Sequence, residues 1–128
     1  TLLFTALFGA AAVALGAAGA HALSGQLDTL ELGWMDTGLK YHIWHVLALL
    51  GTHALALSVP ASRWLMASIL CFLAGILLFS GSLYLLAFTG IHGLVWVTPI
   101  GGLTLILAWL LLAAAAVKAA PALRPSAG

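Results

Sequence analysis

Charged residues are scarce in this chain of 128 residues, and their scarcity excludes an ordinary soluble domain. Only 5% of the residues are Asp, Glu, Lys or Arg, whereas soluble domains carry roughly 25%. Hydrophobic residues make up 64% of the chain, and the mean hydropathy is +1.21. A chain this apolar has too few polar groups to cover its surface in water, so the composition predicts a membrane protein.

The motifs of most soluble enzymes and binding proteins are also missing. The one cysteine, Cys71, lies inside an apolar run, which excludes a disulfide framework and a CxxC metal motif. A net charge of +1 offers no basic patch, so we expect no nucleic-acid partner. The sequence contains no HExxH motif and no glycine-rich phosphate loop. It therefore favours a non-enzymatic protein, although it leaves enzymatic activity open.

Four long apolar runs are present, and each is long enough to cross a membrane. A hydrocarbon core about 30 Å thick needs about 20 helical residues. The runs show no alternation of polar and apolar residues, which disfavours the strands of a barrel. We therefore predict an all-α fold, a four-helix transmembrane bundle with up-down topology that forms a single domain over residues 1–128. The predicted spans are residues 1–22, 39–57, 62–88 and 99–117.

Capping residues support the ends of these spans. The expected N-caps are Thr37, Ser62 and Thr98. Pro60 cannot continue the second span, Gly90 closes the third, and Pro99 suits the first position of the fourth. Between the first two spans, residues 23–38 are predicted to form either a short helix in the outer interface or an irregular loop.

The few charges sort to two sides of the predicted bundle. Three bases and no acid lie on the side of the two termini: Arg63, Lys118 and Arg124. The other side holds three acids and one base: Asp28, Glu31, Asp36 and Lys40. Because basic residues are enriched in cytoplasmic loops, both termini are predicted to be cytoplasmic.

Small residues indicate where helices approach one another. The candidate packing residues are Gly9, Ala12, Gly16 and Ala20 on the first span and Gly75 on the third. Small residues at four-residue spacing let backbones pack closely in lipid. They indicate either packing within the bundle or a face for a second copy or partner. We expect Gly16 to lie at a tight helix–helix contact.

Histidines suggest a metal or haem site. His42 and His45 share one face of the second span, and His21 ends the first span at the same outer end. Imidazoles are ligands for zinc, copper and haem iron, so His21, His42 and His45 are the candidate ligands. Unless they bind such a group, no cofactor is expected.

The alternative is a hydrogen-bonded polar cluster at the outer end of the bundle. Its candidate members are His21, Tyr41, His45, Ser80, Ser82, Tyr84 and Thr98. An unpaired imidazole or phenol in hydrocarbon costs on the order of a few kcal/mol, so these groups should seek partners in the protein. We expect His21, His45 and Tyr84 to approach one another.

Several stretches resemble a known family along nearly the whole chain. They are Phe8-Gly9-Ala10, Gly19-Ala20-His21-Ala22-Leu23, Tyr41-His42-Ile43-Trp44-His45, the run from Gly75 to Tyr84, and Thr98-Pro99-Ile100-Gly101-Gly102. Together they resemble the YgdD/YwdK-like family of small bacterial inner-membrane proteins, a domain of unknown function. The resemblance implies a four-helix protein of the bacterial plasma membrane and implies no activity.

The sequence thus favours a small integral membrane protein over an enzyme or transporter. We expect a non-enzymatic accessory subunit or scaffold associated with a larger membrane complex. Its expected partners are the lipid bilayer and either other membrane subunits or a second copy of the chain. The alternative is a metal- or haem-binding membrane protein that uses the histidines at the non-cytoplasmic end.

Overall fold

A computed structural model describes residues 2–23 and 25–119, and it is all-helical there, as predicted. Its four long helices are α1 (Leu2–Ala18), α2 (Thr29–Ser58), α3 (Arg63–Thr89) and α4 (Val97–Ala119). A π-helical turn, Gly19–Leu23, extends α1, and a 3₁₀ turn, His92–Trp96, precedes α4. Arg124, one of the bases used for the predicted orientation, lies outside the described residues.

Neighbouring helices run antiparallel, and α3 is central. Ser82, late in α3, bonds Thr98 at the start of α4, whereas the Phe72 ring lies 5.2 Å from Trp109 further along α4. On its other side α3 packs against α2, and α1 packs chiefly against α2. The short connections between successive helices explain this order, because they leave no length for a crossover.

A tightly packed core lies between α2, α3 and α4. Its buried members include Leu49 of α2, Phe72 and Ile76 of α3, and Leu105 and Ala108 of α4. With no hydrophobic driving force between helices in lipid, such contacts stabilise the fold through van der Waals packing. The core therefore joins the last three helices more closely than it joins α1.

Three segments are long and apolar enough to cross a membrane by length and composition, within the part of the chain that the structure describes. They are Leu2–Leu23, Arg63–Thr89 and His92–Ala119. The helix α2 is not among them, although it has 30 residues. Its sequence holds His42, His45 and His53 as well as three charged residues in its first half, and these lower its hydropathy.

The start of α2 differs from the prediction, because the helix begins ten residues before residue 39. Asp28 is the N-cap, and its carboxylate accepts a 2.8 Å hydrogen bond from the backbone N–H of Glu31. The Glu31 carboxylate accepts a 2.8 Å bond from the backbone N–H of Asp28 in return. This capping box satisfies two free N–H groups at once, so residues 29–38 continue as helix and Thr37 is not a cap.

The ends of α3 lie within one residue of the predicted ones. Ser62 occupies the N-cap position, and Gly90 follows the helix with φ 63°, a left-handed conformation that favours glycine. The helix α4 begins at Val97, so Thr98 lies inside its first turn and Pro99 is the third helical residue. A proline within the first turn loses no intrahelical hydrogen bond, which is why the earlier start is tolerated.

Candidate functional site: a polar seam between the helices

A line of paired polar side chains, the polar seam, runs through the interfaces of α2, α3 and α4. Its members are His42, His45, Ser82, Tyr84, Thr98 and Trp109. The first pair joins α2 to α3, because Nδ1 of His42 lies 3.1 Å from the hydroxyl oxygen of Tyr84. Both side chains are buried, and their hydrogen bond avoids the free-energy cost of leaving Nδ1 of His42 and the Tyr84 hydroxyl unpaired.

The second pair joins α2 to α4. Nδ1–H of His45 donates to the backbone carbonyl of Tyr41 at 2.7 Å, which leaves Nε2 as an acceptor. Nε1–H of Trp109 donates to that Nε2 at 3.3 Å. Both ring nitrogens of His45 are thus used in hydrogen bonds, and the ring also stacks on Tyr41 and lies against Phe72. A metal ion at Nε2 would have to displace Trp109.

Two hydroxyl contacts join α3 to α4. The hydroxyls of Ser82 and Thr98 lie 2.8 Å apart, and Ser82 also donates to the carbonyl of Phe79 at 2.9 Å. Deeper in the pair, the buried hydroxyl of Ser68 donates to the carbonyl of Ala108 at 2.8 Å. Hydrogen bonds of this kind hold membrane helices together in a fixed register.

The structure does not bring together His21, His45 and Tyr84. His21 is exposed, and it makes no hydrogen bond or ring contact with residues 2–23 and 25–119. The partner of Tyr84 is His42 rather than His45. The reason is that α1 packs chiefly against α2 and only lightly against α3, so His21, in the turn that follows α1, does not reach Tyr84.

The candidate metal ligands His21, His42 and His45 are also not gathered. Among the described residues, no group of three or more His, Cys, Asp or Glu side chains is placed to hold a metal ion. Nδ1 of His42 is hydrogen-bonded to the Tyr84 hydroxyl, and Nδ1 of His45 is hydrogen-bonded to the Tyr41 carbonyl. The geometry supports a hydrogen-bonded staple at these histidines and gives no support to the metal or haem interpretation.

A cavity beside the seam is bordered by two residues whose buried polar atoms have no partner among the described residues. It has a volume of about 160 Å³ and lies between α1, α2 and α3. Nε2 of His42 and Oγ of Ser80 both belong to residues that line it, and neither makes a hydrogen bond within the described part of the chain. The backbone of Phe8 comes near the His42 ring, but it does not reach hydrogen-bond geometry with Nε2. Both atoms are buried, so a group in the cavity would reach either of them only if its side chain rotates toward the cavity.

The predicted packing residues fall into two groups. Gly75 lies against α4, where a Cβ atom would come within 2.5 Å of Leu105. On α1, Ala12 is buried and a Cβ at Gly16 would lie 3.2 Å from Cδ2 of Leu39. The other two residues pack less closely, since a Cβ at Gly9 of α1 would be 3.6 Å from Val46, and Ala20, in the turn that follows α1, is exposed beside a groove.

Three residues at the helix interfaces are not among the candidate site residues of the sequence analysis. Trp109 and Ser68 lie in apolar runs and carry no further signal there. Gly101 lies so close to α3 that a Cβ atom would overlap the backbone of Leu78 and Phe79. The adjacent Gly101-Gly102 pair was a usable signal, because paired glycines inside an apolar run indicate close backbone approach.

Comparisons with known proteins agree with a membrane protein. The family model described as "Protein of unknown function (DUF423)" matches residues 15–102. A UPF0382 membrane protein of Haemophilus influenzae is 47% identical over 113 residues, which cover 88% of this chain and 89% of the relative. The UPF0382 inner membrane protein YgdD of Escherichia coli K12 is 42% identical over 117 residues, or 91% of this chain and 88% of YgdD.

A relative from Bacillus subtilis is similar to nearly the same extent. The UPF0382 membrane protein YwdK of Bacillus subtilis is 43% identical over 113 residues, which cover 84% of this chain and 87% of YwdK. No solved structure matches the chain. The names of these relatives give a location in a membrane and no activity.

Proposed function

We propose that this chain, which belongs to the family of proteins of unknown function DUF423, is a four-span inner-membrane protein with up-down topology. The 30 residues of α2 would extend about 45 Å at roughly 1.5 Å per residue, beyond a core of about 30 Å. The acidic first turns of α2 can therefore stay outside the membrane while the rest crosses it.

The polar seam supports this crossing of α2. The His42–Tyr84 and His45–Trp109 contacts give both histidines partners on neighbouring helices. A histidine that is paired inside a bundle costs far less in lipid than one exposed to the acyl chains. His42 and His45, two of the three histidines that lower the hydropathy of α2, are thus accommodated by the interfaces with α3 and α4.

Charge supports an orientation with both termini in the cytoplasm. Arg63 and Lys118 lie at one end of the bundle, the basic end, and Asp28, Glu31 and Asp36 lie at the other, the acidic end. By the positive-inside rule the basic end faces the cytoplasm. A reporter fused after residue 128 should be active only in its cytoplasmic form. Activity of a periplasm-dependent reporter at that position would overturn the orientation.

For the role of the protein, we infer a non-enzymatic accessory subunit whose helix α1 packs against a helix of another membrane protein. The observation that carries this proposal is the weak attachment of α1. Only 11% of its apolar segment is buried, compared with 50% for α3. Its exposed face includes Ala6, Ala10 and Ala14 at four-residue spacing, a pattern that lets a second helix approach closely.

Site-directed cross-linking in native membranes tests this role. In a Cys71→Ala background, Ala10→Cys should form one cross-linked species of defined mass with a second polypeptide, because small residues on that face bring the partner backbone near. The control is Leu103→Cys, on an exposed position of α4 whose neighbours are large apolar residues. The control should give no such species.

The cross-linked mass separates the alternatives. A mass equal to twice that of the chain would identify a second copy as the occupant and replace the accessory role with self-association. Equal yields at Ala10→Cys and Leu103→Cys, or no product at either position, would show that α1 faces lipid and would overturn the proposal.

A second candidate function is the binding of a small lipid-soluble molecule in the cavity beside the seam. Two buried atoms without partners, Nε2 of His42 and Oγ of Ser80, favour it. The volume of about 160 Å³ is close to that of an apolar cavity of about 150 Å³ that holds benzene. We infer a ligand with one ring and one oxygen, to which the His42 or Ser80 side chain would bond after rotating toward the cavity.

Phenol and benzene are suitable probes for this cavity. Phenol should shift the ¹⁵N resonance of His42 Nε2, and Ser80→Ala should weaken phenol binding about fivefold, the equivalent of one net hydrogen bond. Benzene lacks the oxygen and should bind without that shift. If phenol causes no shift and His42 Nε2 instead shows a hydrogen bond to the Phe8 carbonyl or to water alone, the cavity is not a ligand site.

A further inference from the structure

Two basic side chains from different helices meet on one tryptophan ring at the basic end. The guanidinium carbon of Arg63 lies 5.3 Å from the centroid of the Trp64 ring, and Nζ of Lys118 lies 4.7 Å from it. Arg63 and Trp64 begin α3, whereas Lys118 belongs to the last turn of α4. The ring therefore holds two positive charges near each other at the same end of the helices.

No acidic side chain is available to neutralise these two charges. The chain contains three Asp and Glu residues in total, and all three lie in or next to the first turns of α2, at the acidic end. The ion pair found among the described residues joins Lys40 to Asp36 at 2.6 Å, also at the acidic end. Arg63 and Lys118 thus attract an anion from outside the chain.

The space between them is a cavity with further hydrogen-bond donors. It has a volume of about 320 Å³, and its lining includes Pro60, Ser62, Arg63, Trp64, Ala115 and Lys118. Ser62 is the N-cap of α3, and its hydroxyl makes no capping bond, so that hydroxyl remains available. The C-termini of α2 and α4 also lie at the basic end, and their negative partial charges offset the positive partial charge at the N-terminus of α3. The two cations are therefore the main attraction for an anion.

An apolar groove borders this cavity at the start of α3, on the side that faces α2. The groove has a volume of about 410 Å³ and shares Pro60, Ser62 and Arg63 with the cavity. Beyond them it is lined by apolar side chains that include Leu65, Met66 and Ile69. A charged cavity beside an apolar groove matches a molecule with an anionic head and a hydrocarbon chain.

We propose that Arg63 and Lys118 bind the phosphate of an anionic phospholipid, with one acyl chain in the groove along α3. Several acceptor oxygens on one tetrahedral anion suit donors that come from two helices. A phospholipid with a cationic head neutralises its own phosphate and is bound less well. This inference rests on the proposed four-span arrangement in one respect, which is that the basic end lies at a membrane surface.

Native mass spectrometry of the full chain tests the site directly. The protein is released from micelles that contain equal amounts of phosphatidylglycerol and phosphatidylcholine, and the retained lipids are counted. Phosphatidylglycerol should be retained in preference. Arg63→Gln and Lys118→Gln should each reduce that preference about fivefold, because a basic residue near an anionic lipid surface contributes about 1 kcal/mol.

Two control variants separate this site from a general effect of charge. Lys40→Gln removes one positive charge at the acidic end and should leave the preference unchanged. The exchange Arg63→Lys with Lys118→Arg keeps both charges and should also retain phosphatidylglycerol. Circular dichroism of every variant verifies that the helices are intact, so that a loss of lipid is not a loss of fold.

The remaining outcomes would overturn the proposal. Equal retention of the two lipids by the wild-type chain would exclude a specific anionic site, and so would an equal loss in Lys40→Gln. Displacement of the lipid by millimolar inorganic phosphate would identify free phosphate as the ligand instead of a phospholipid. None of these results alters the reporter and cross-linking measurements, so failure here is distinguishable from failure of the proposed function.

Discussion

The α3–α4 pair and the α1–α2 pair are both antiparallel, yet their backbones approach to different degrees. At Gly101 the α4 backbone lies directly on that of α3, and no side chain fits between them. At Gly16 the nearest group across the interface is the flexible end of Leu39, and beyond it a groove of about 280 Å³ opens between α1 and α2.

This difference shows what holds helices together where water is absent. Without a hydrophobic driving force, close van der Waals contact and interhelical hydrogen bonds have to supply the attraction. The α3–α4 pair has both, since its glycines allow contact and Ser68 and Ser82 make bonds across it. On α1, three alanines of the exposed face are turned away from the rest of the chain, which leaves this helix open to another partner.

The largest expected effect is that of Gly101→Ala. The new methyl group would overlap the backbone of α3, so the two helices have to separate, at a cost of about 3 kcal/mol. Unfolding in sodium dodecyl sulfate, followed by circular dichroism, measures the loss. Gly102→Ala is the matched control, because its methyl group would lie 3.6 Å from the Phe79 ring, an ordinary contact. Equal losses in both variants would show that the α3–α4 backbones are not in close contact.

An intermediate effect is expected at the junction of the two regions, where His42 of α2 meets Tyr84 of α3. A double-mutant cycle of His42→Phe and Tyr84→Phe should give a coupling of about 1 kcal/mol in the free energy of unfolding. The control is the cycle of His53→Phe and Tyr84→Phe, which should give no coupling. His53 lies on the same helix, but its Nδ1 bonds only the carbonyl of Leu49. A coupling of zero between His42 and Tyr84 would mean that their contact does not stabilise the fold.

The smallest effect is expected at Gly16→Ala, in the loosely packed pair. Its methyl group would lie 3.2 Å from the tip of Leu39, which can rotate away, so we expect a loss of no more than about 0.5 kcal/mol. The same unfolding measurement applies, and adding Leu39→Ala should remove the remaining steric effect of the methyl group. A loss as large as that of Gly101→Ala would show that α1 is packed as tightly as α4.

Much of the fold was predictable because long apolar runs and helix-ending residues are local signals. Pro60 and Gly90 indicated where helices stop, and the structure ends α2 and α3 within two residues of them. The start of α2 was missed because its apolar run begins later than its helix. Asp28 and Glu31, three residues apart, were the signal that was available, since this spacing is that of a capping box.

The pairing of the polar groups was less predictable. His42 and His45 lie three residues apart and share a broad face, but that face spans two interfaces, so spacing alone does not tell which histidine faces α3 and which faces α4. Hydrophobic periodicity also gives no sign that Trp109, which is half exposed, donates a hydrogen bond from its ring nitrogen. Such partners depend on how helices rotate against each other, which only the packed structure shows.

The central position of α3 has a consequence for biogenesis. The chain is synthesised from α1 onward, at roughly 5–20 residues per second. Its best-packed pair, α3 and α4, is complete only after Ala119 has left the ribosome, on the order of 10 s after α1 at that rate. Until then α1 and α2 are without their complete scaffold, and His45 lacks its partner Trp109. Synthesis thus runs in the opposite direction to the packing, because the most closely packed pair of helices is made last.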